Sequence, residues 1–330
     1  MVRIYYINLK VILVLLVCSL SVFNVYSEQS IIAPLASKSL LLDSDNYADL
    51  TVVVGERGHV LYSTDQQTWA QALVETRSTL TSVFLLDDNT GWAVGHDAVI
   101  LRTIDGAKTW QKVFSAVEEE APLLDVFFWD KFAGIAIGAY GLVYLSNDGG
   151  LSWKKSELII TNLTGSEDFN EIYDFHLNNL VNASDHYFYI AAEAGHILFS
   201  DDNAKTWQDL QSPYHGSFFG VLSISEDEVL VYGLRGHLYR SEDAGTNWSK
   251  IDTGTKEMLT NAILLSNGDI VLAGLAGTLL LSRDEGQSFT KINLKQRYSI
   301  SSLLETDKGD LLLTTDEGIK VVAASLLRSQ

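Results

Sequence analysis

The stretch Gly91-Trp92-Ala93-Val94-Gly95-His96-Asp97-Ala98-Val99-Ile100-Leu101-Arg102-Thr103-Ile104-Asp105-Gly106-Ala107-Lys108-Thr109-Trp110 decides the fold. It holds an apolar strand, a tight Gly-x-x-Ala turn, a second apolar strand, and then the element Ser/Thr-x-Asp-x-x-x-x-Trp/Phe. That element returns at Ser146/Asp148/Trp153, Ser200/Asp202/Trp207, Ser241/Asp243/Trp248 and Ser282/Asp284/Phe289, and in a copy one residue shorter at Ser63/Asp65/Trp69. The six aspartates step by 40, 43, 54, 41 and 41 residues, the period of a four-stranded propeller blade.

A second marker extends the count. Turns starting at Gly55, Gly95, Gly138, Ala192, Gly233 and Gly274 each precede an aspartate element at near-constant offset, and a degenerate seventh ends at Gly318 with no aspartate element after it. Seven hairpins and six aspartate elements predict an all-β chain, a seven-bladed propeller of four-stranded blades. In blade six the strands are expected at residues 259–265, 269–273, 278–282 and 289–292, with runs such as Ile263-Leu264-Leu265 buried between neighbouring sheets. The last repeat lacks an outer strand, and Ser30-Ile31-Ile32-Ala33, before Pro34, is expected to supply it and close the ring.

The repeated aspartate has a structural logic. Its carboxylate accepts backbone N–H groups of its own turn, glycines such as Gly106, Gly150, Gly245 and Gly286 tolerate positive φ beside it, and the aromatic that follows packs between sheets. Asp65, Trp69, Asp105, Trp110, Asp148, Trp153, Asp202, Trp207, Asp243, Trp248, Asp284 and Phe289 are therefore read as structural.

Residues 1–27 read as a secretory signal: Arg3 and Lys10 flank a basic start, residues 11–23 are apolar, and Val25-Tyr26-Ser27 offers a cleavage site before Glu28. Acylation at Cys18 is the alternative, with Val17 standing where a lipobox takes a small residue. Cleavage at Glu28 would leave residues 28–330 as one domain with no cysteine, so the fold rests on its core and not on disulfides. It would also take the formal charge from −19 to −21, which disfavours nucleic acid and bare anionic membrane. An exported, periplasmic or equivalent extracytoplasmic monomer is expected, with no direct membrane insertion after cleavage.

With these motifs in view, Gly91-Trp92-Ala93-Val94-Gly95 followed by Thr103-Ile104-Asp105-Gly106 and Thr109-Trp110 resembles the repeat of the photosystem II stability/assembly factor family, within the BNR or Asp-box propellers. The resemblance spans residues 30–326 and implies a non-catalytic, protein-binding scaffold for a membrane-protein complex. Photosynthetic members are associated with an arginine-rich patch. Here only Arg57 and Arg235 fall at the matching turn positions, the others being Asp97, Tyr140, Ala194, Ala276 and Glu317. The expected role is accordingly chaperone-like or scaffolding at an envelope complex.

Second-to-third-strand turns share one face of a propeller, and the aspartate turns share the other. Candidate binding residues lie on the former: Glu56, Arg57, His59, His96, Asp97, Tyr140, Glu193, His196, Arg235 and His237. The histidines after the turns at blades one, four and five stand too far apart around the ring to share one ion, so no metal and no cofactor are expected. Two insertions, residues 117–123 with Glu118-Glu119-Glu120 and residues 156–170, leave from the same face, and a third, residues 177–186, from the aspartate face. The enzymatic alternative is a sialidase-like glycoside hydrolase. The Phe/Tyr-Arg-Ile-Pro motif expected of one is absent, and Ile31-Ile32-Ala33-Pro34 is the nearest stretch. No Gly-x-Ser-x-Gly elbow or phosphate loop occurs, and Asp43-Ser44-Asp45-Asn46 lacks the glycine and acid that complete a calcium loop.

Overall fold

The computed structural model describes residues 29–162, 174–184 and 186–328. The signal-like segment and residues 163–170 of the 156–170 insertion lie outside the described residues. Seven antiparallel sheets follow one another along the chain. Their inner strands are Leu41–Tyr47, Leu80–Leu85, Leu123–Phe128, Leu177–Asn182, Phe218–Ser223, Leu259–Leu264 and Ile300–Glu305. Each inner strand packs on the next, and the seventh packs on the first. The expected ring of seven blades is the observed fold. In blade six the strands run Leu259–Leu264, Ile270–Gly274, Leu279–Ser282 and Thr290–Lys291, within a residue or two of the expected bounds.

The second strands are buried throughout, because both faces meet a neighbouring sheet. Seven apolar clusters fill the seven seams. The aromatic of each aspartate turn packs toward the preceding blade: Trp69 on blade seven, Trp110 on one, Trp153 on two, Trp207 on three, Trp248 on four and Phe289 on five. Trp110 is fully buried, and its truncation to alanine would cost roughly 3–5 kcal/mol.

The sixth seam, between blades six and seven, has no such aromatic. A short C-terminal helix, Ala324–Arg328, fills the place with Leu326 and Leu327. Arg283 Nη2 fastens that helix by donating to the Leu327 carbonyl at 2.7 Å.

The ring closes differently from the expectation. Among the described residues blade seven has three strands, Ile300–Glu305, Leu311–Thr315 and Gly318–Val322. Residues 29–33 do not complete it but run along blades one and two. The Ser30 N–H donates to Val74 O at 2.8 Å, the Ala33 N–H to Gln71 Oε1 at 2.8 Å, and Arg77 Nε to Gln29 O at 2.9 Å. Gln71 Nε2 donates back to Ile31 O at 2.9 Å. A glutamine on an exposed strand thus satisfies this segment from the wrong side for closure. The join is made instead by Leu41, Val53 and Leu61 packing on Leu312, Leu304 and Ile319, and by Ser44 Oγ and Ser302 Oγ at 3.1 Å.

A second departure is that blade two carries a fifth strand. Leu73–Val74, just past blade one, pairs in parallel with Thr109 and Trp110. Ile160 bridges Trp207 of blade four in the same sense.

Candidate functional site

The two faces of the ring are built by different chemistry. On one, each aspartate pins its own turn. Asp65 accepts the N–H groups of Gln67 and Thr68 at 2.8 and 2.7 Å, and Asp202 those of Lys205 and Thr206 at 3.0 and 2.9 Å. The Ser/Thr two residues earlier donates to the same carboxylate, as Ser146 Oγ does to Asp148 at 2.9 Å. These bonds hold the turn carboxylates below their usual range: backbone donors from Thr68 and Gln67 lead at Asp65, and the Ser152 hydroxyl and N–H lead at Asp148. Carboxylates so engaged are poor candidates for catalysis. Cavities of about 530 and 350 Å³ open beside these turns, at the blade six–seven and three–four seams.

On the opposite face, each second-to-third-strand turn packs against a connection between blades. A side chain at Gly95 would meet the Thr79 carbonyl at 2.1 Å, and Gly58, at φ +68°, would meet Thr76 O at 2.2 Å. This close approach is what the glycine marker encodes. Between the glycines, six turns hold a non-glycine residue in the left-handed region: Arg57, Asp97, Tyr140, Ala194, Arg235 and Ala276, with φ from 54° to 62°. For L-residues that conformation costs about 1–2 kcal/mol. Blade seven departs, with a shorter Asp316-Glu317 turn closed by Thr315 and Gly318.

The ten expected residues divide into two groups. Arg57, His96, Asp97, Tyr140 and Arg235 are exposed at turn apices, and Glu56 and Glu193 are half-buried beside them. His59, His196 and His237 belong instead to the layer beneath, which corrects their assignment as a free rim. His59 is 5% exposed and bonded to Ser39 Oγ at 3.0 Å. His196 holds Asp209 Oδ2 at 2.7 Å and stacks on Phe175 at 4.2 Å between centroids. His237 lies 4.1 Å from the Tyr214 ring. Burial lowers the pKa of His59 and of His237, so both favour the neutral form. Each ties a strand start to the neighbouring connection.

Around Tyr140 the face gathers further groups. His176 packs edge-on against Tyr140 at 4.9 Å, and its Nδ1 lies 3.5 Å from Glu193 Oε1. The 117–123 insertion stands on the same face, since the Ala116 N–H donates to Asp97 O at 3.2 Å. Its Val117 is 61% exposed, and Glu119 is held by Lys155 Nζ at 2.7 Å. Of the third expected extension, residues 177–182 are the inner strand of blade four, and His186 stands on the aspartate face, its carbonyl accepting from the Asn203 N–H at 3.5 Å.

A polar belt around the ring axis was not anticipated. The third residue of the inner strands is Asp43, Ser82, Asp125, Asn179, Gly220, Asn261 and Ser302. Asp43 accepts the Val83 N–H of the next blade at 3.0 Å, Asp125 that of Leu180 at 2.8 Å, Asn179 that of Val221 at 3.1 Å, and Asn261 that of Leu303 at 3.2 Å. At blade five, Gly220 has no side chain to offer. The Tyr232 hydroxyl occupies the space, 2.2 Å from where a Gly220 Cβ would stand, and lies beside the equivalent Ala262 N–H.

Asp43 is pushed up to about 7 and Asp45 to about 6, chiefly by burial, with the Asp125 carboxylate adding to both. By surface area all three carboxyls are only half-buried. Protein encloses each group on its sides, and one edge meets the axis.

These features define a class: a seven-bladed β-propeller whose blades are pinned by repeated aspartate turns. Within it, residues 114–264 match the family model described as photosynthesis system II assembly factor YCF48. A solved structure titled YCF48 bound to D1 peptide superposes with a TM-score of 0.67 at 18% identity, covering 90% of this chain and 96% of that one. YCF48 from Cyanidioschyzon merolae gives 0.66 at 17%, covering 89% and 97%. The GH74 xyloglucanase from Xanthomonas campestris gives 0.65 at 13%, covering 89% of this chain and 53% of that one. No curated protein matches the sequence. The chain is a seven-bladed propeller similar to the photosystem II assembly-factor family.

Proposed function

We propose that this propeller is an exported, non-catalytic scaffold that binds a segment of an envelope or membrane-protein complex on the face opposite its aspartate turns, and helps assemble or stabilise that complex. One observation carries the reading. Arg57, Asp97, Tyr140 and Arg235 are exposed side chains that set basic, acidic and aromatic groups at the turn apices of that face. Exposed charged and aromatic side chains gathered on one face of a rigid scaffold are where binding residues tend to sit. The likeness to an assembly factor solved with a D1 peptide bound supports a peptide segment as the ligand. With only Arg57 and Arg235 as basic turn apices, recognition here rests on mixed polar and aromatic contacts, not on an arginine patch.

The glycoside-hydrolase alternative has a structural neighbour in its favour. Against it, the buried carboxylates at the axis accept backbone N–H groups of the next blade, as the turn aspartates do of their own.

The test is affinity capture from envelope extracts with the full chain, alongside hydrolysis assays on sialosides and xyloglucan. A captured membrane-protein subunit, lost with an Arg57→Glu/Tyr140→Ala/Arg235→Glu variant, is the expected result. Hydrolysis without capture would replace this reading by the enzymatic one. Export is checked by the mass of the isolated protein, expected to begin at Glu28.

A further inference from the structure

Among the described residues, six third strands of this ring are paired on their outer side and the seventh is not. In blade six, the Leu279 carbonyl accepts the Ile292 N–H at 2.8 Å, and Leu280 and Leu281 pair with Lys291 and Thr290. Register places Ile319 and Val321 of blade seven where Leu279 and Leu281 stand in blade six, because Leu313 faces Lys320 as Leu272 faces Leu280. Among the described residues no strand pairs with that edge of Gly318–Val322. Val321 is 57% exposed, whereas Leu281 and Arg240, its counterparts in blades six and five, are 3% and 5% exposed. Leu326 and Leu327 already fill the seam where an outer-strand aromatic would sit. What is missing is backbone only: a short extended segment with free N–H and C=O groups.

We infer that the outer edge of blade seven is a strand-addition site for an extended, uncharged or basic segment of a partner protein, which pairs with Ile319 and Val321 as the ring's missing outer strand. Main-chain bonds supply such binding, and an open edge is its usual template. Residues 29–33, the part of the N-terminus that is described, are fastened to blades one and two. A second copy is disfavoured on two grounds. Each chain carries −19, so copies repel at long range. An edge of five residues is also far smaller than the roughly 1,200 Å² that stable pairs of proteins bury. The same charge attracts a basic segment. This inference rests on the absent strand and is independent of the turn-face reading.

The probe is an N-acetylated peptide with the sequence of residues 290–295 of this chain, Thr-Lys-Ile-Asn-Leu-Lys, added in millimolar excess to the full chain. Amide hydrogen exchange at Ile319 and Val321 is expected to slow at least tenfold. A copy N-methylated at alternate amides should have no effect. Val321→Pro, which removes an outward N–H at an edge where proline is tolerated, should abolish the slowing while leaving the thermal midpoint near that of the parent. The Arg57→Glu/Tyr140→Ala/Arg235→Glu variant should respond like the parent, which separates this site from the turn face. No slowing with the unmodified peptide, or equal slowing with the N-methylated one, overturns the proposal. Slow exchange before any peptide is added also overturns it: independent of concentration, it assigns the edge to the chain's own N-terminal residues, and concentration-dependent, to a second copy.

Discussion

Asp43 shows how one residue couples the axis to pH. Its carboxyl is raised to about 7 in the folded ring, against about 3.9 in an unfolded chain. Between those values the folded state holds a proton that the unfolded state has lost, so stability is fully present below about pH 4 and falls as pH rises through about 7. Asparagine already fills the same position at Asn179 and Asn261 and accepts the same kind of N–H. Asp43→Asn should therefore leave stability near that of the parent at pH 4.5 and raise it by about 1–2 kcal/mol at pH 8, after allowance for the edge that meets the axis. Urea unfolding at the two pH values reads this directly, and a pH-independent difference would refute it. The turn aspartates act in the opposite sense. Their depressed pKa values make stability fall as pH drops below about 4. The thermal midpoint should therefore peak between about pH 4.5 and 6, which a scan of melting temperature against pH would show.

Between strands, the Gly220–Tyr232 exchange at the blade five–six seam is the most specific device in the ring. Tyr232→Phe removes the hydroxyl that lies beside the Ala262 N–H and should cost about 1 kcal/mol. Gly220→Asn alone should cost more, since its Cβ would stand 2.2 Å from the Tyr232 oxygen. The double variant Gly220→Asn/Tyr232→Val should recover much of the loss, because it recreates the Asn179 arrangement. A double-mutant cycle by chemical denaturation measures the coupling, and additive effects would count against the account.

This belt was visible in the sequence only as a spacing. Asp43, Ser82, Asp125, Asn179, Gly220, Asn261 and Ser302 step nearly in time with the turn aspartates, but a polar residue in an apolar strand carries no mark of what it bonds across a seam. The aspartate turns were fully legible, because donor and acceptor lie within five residues of each other. The role of Gln71 was not, since its partners lie 38 and 40 residues away. The rim histidines were misplaced for a similar reason: a Gly-His step marks a strand start but not the connection that covers it.

At the scale of the whole ring, blade seven is held, among the described residues, by packing instead of by an outer strand. Leu327, 6% exposed in the six–seven seam, stands in for the missing turn aromatic. Leu327→Ala should cost about 2–3 kcal/mol and speed exchange first in Ile300–Glu305 and Leu311–Thr315, as hydrogen-exchange mass spectrometry would show. A uniform loss of protection around the ring would instead mean that the blades open together. The ring also presents two faces of different character, one held by repeated carboxylates and one carrying unrepeated side chains. The central claim is that a protein partner meets the latter. Tyr140 and Leu151 lie at opposite ends of the same third strand of blade three, Val143–Ser146, and are 56% and 61% exposed. A photo-crosslinking phenylalanine analogue placed at each position in turn, in the full chain exposed to envelope extract, tests the claim most directly. The account predicts a discrete protein adduct from position 140 and none from 151; adducts from 151 alone, or from both positions alike, would contradict it.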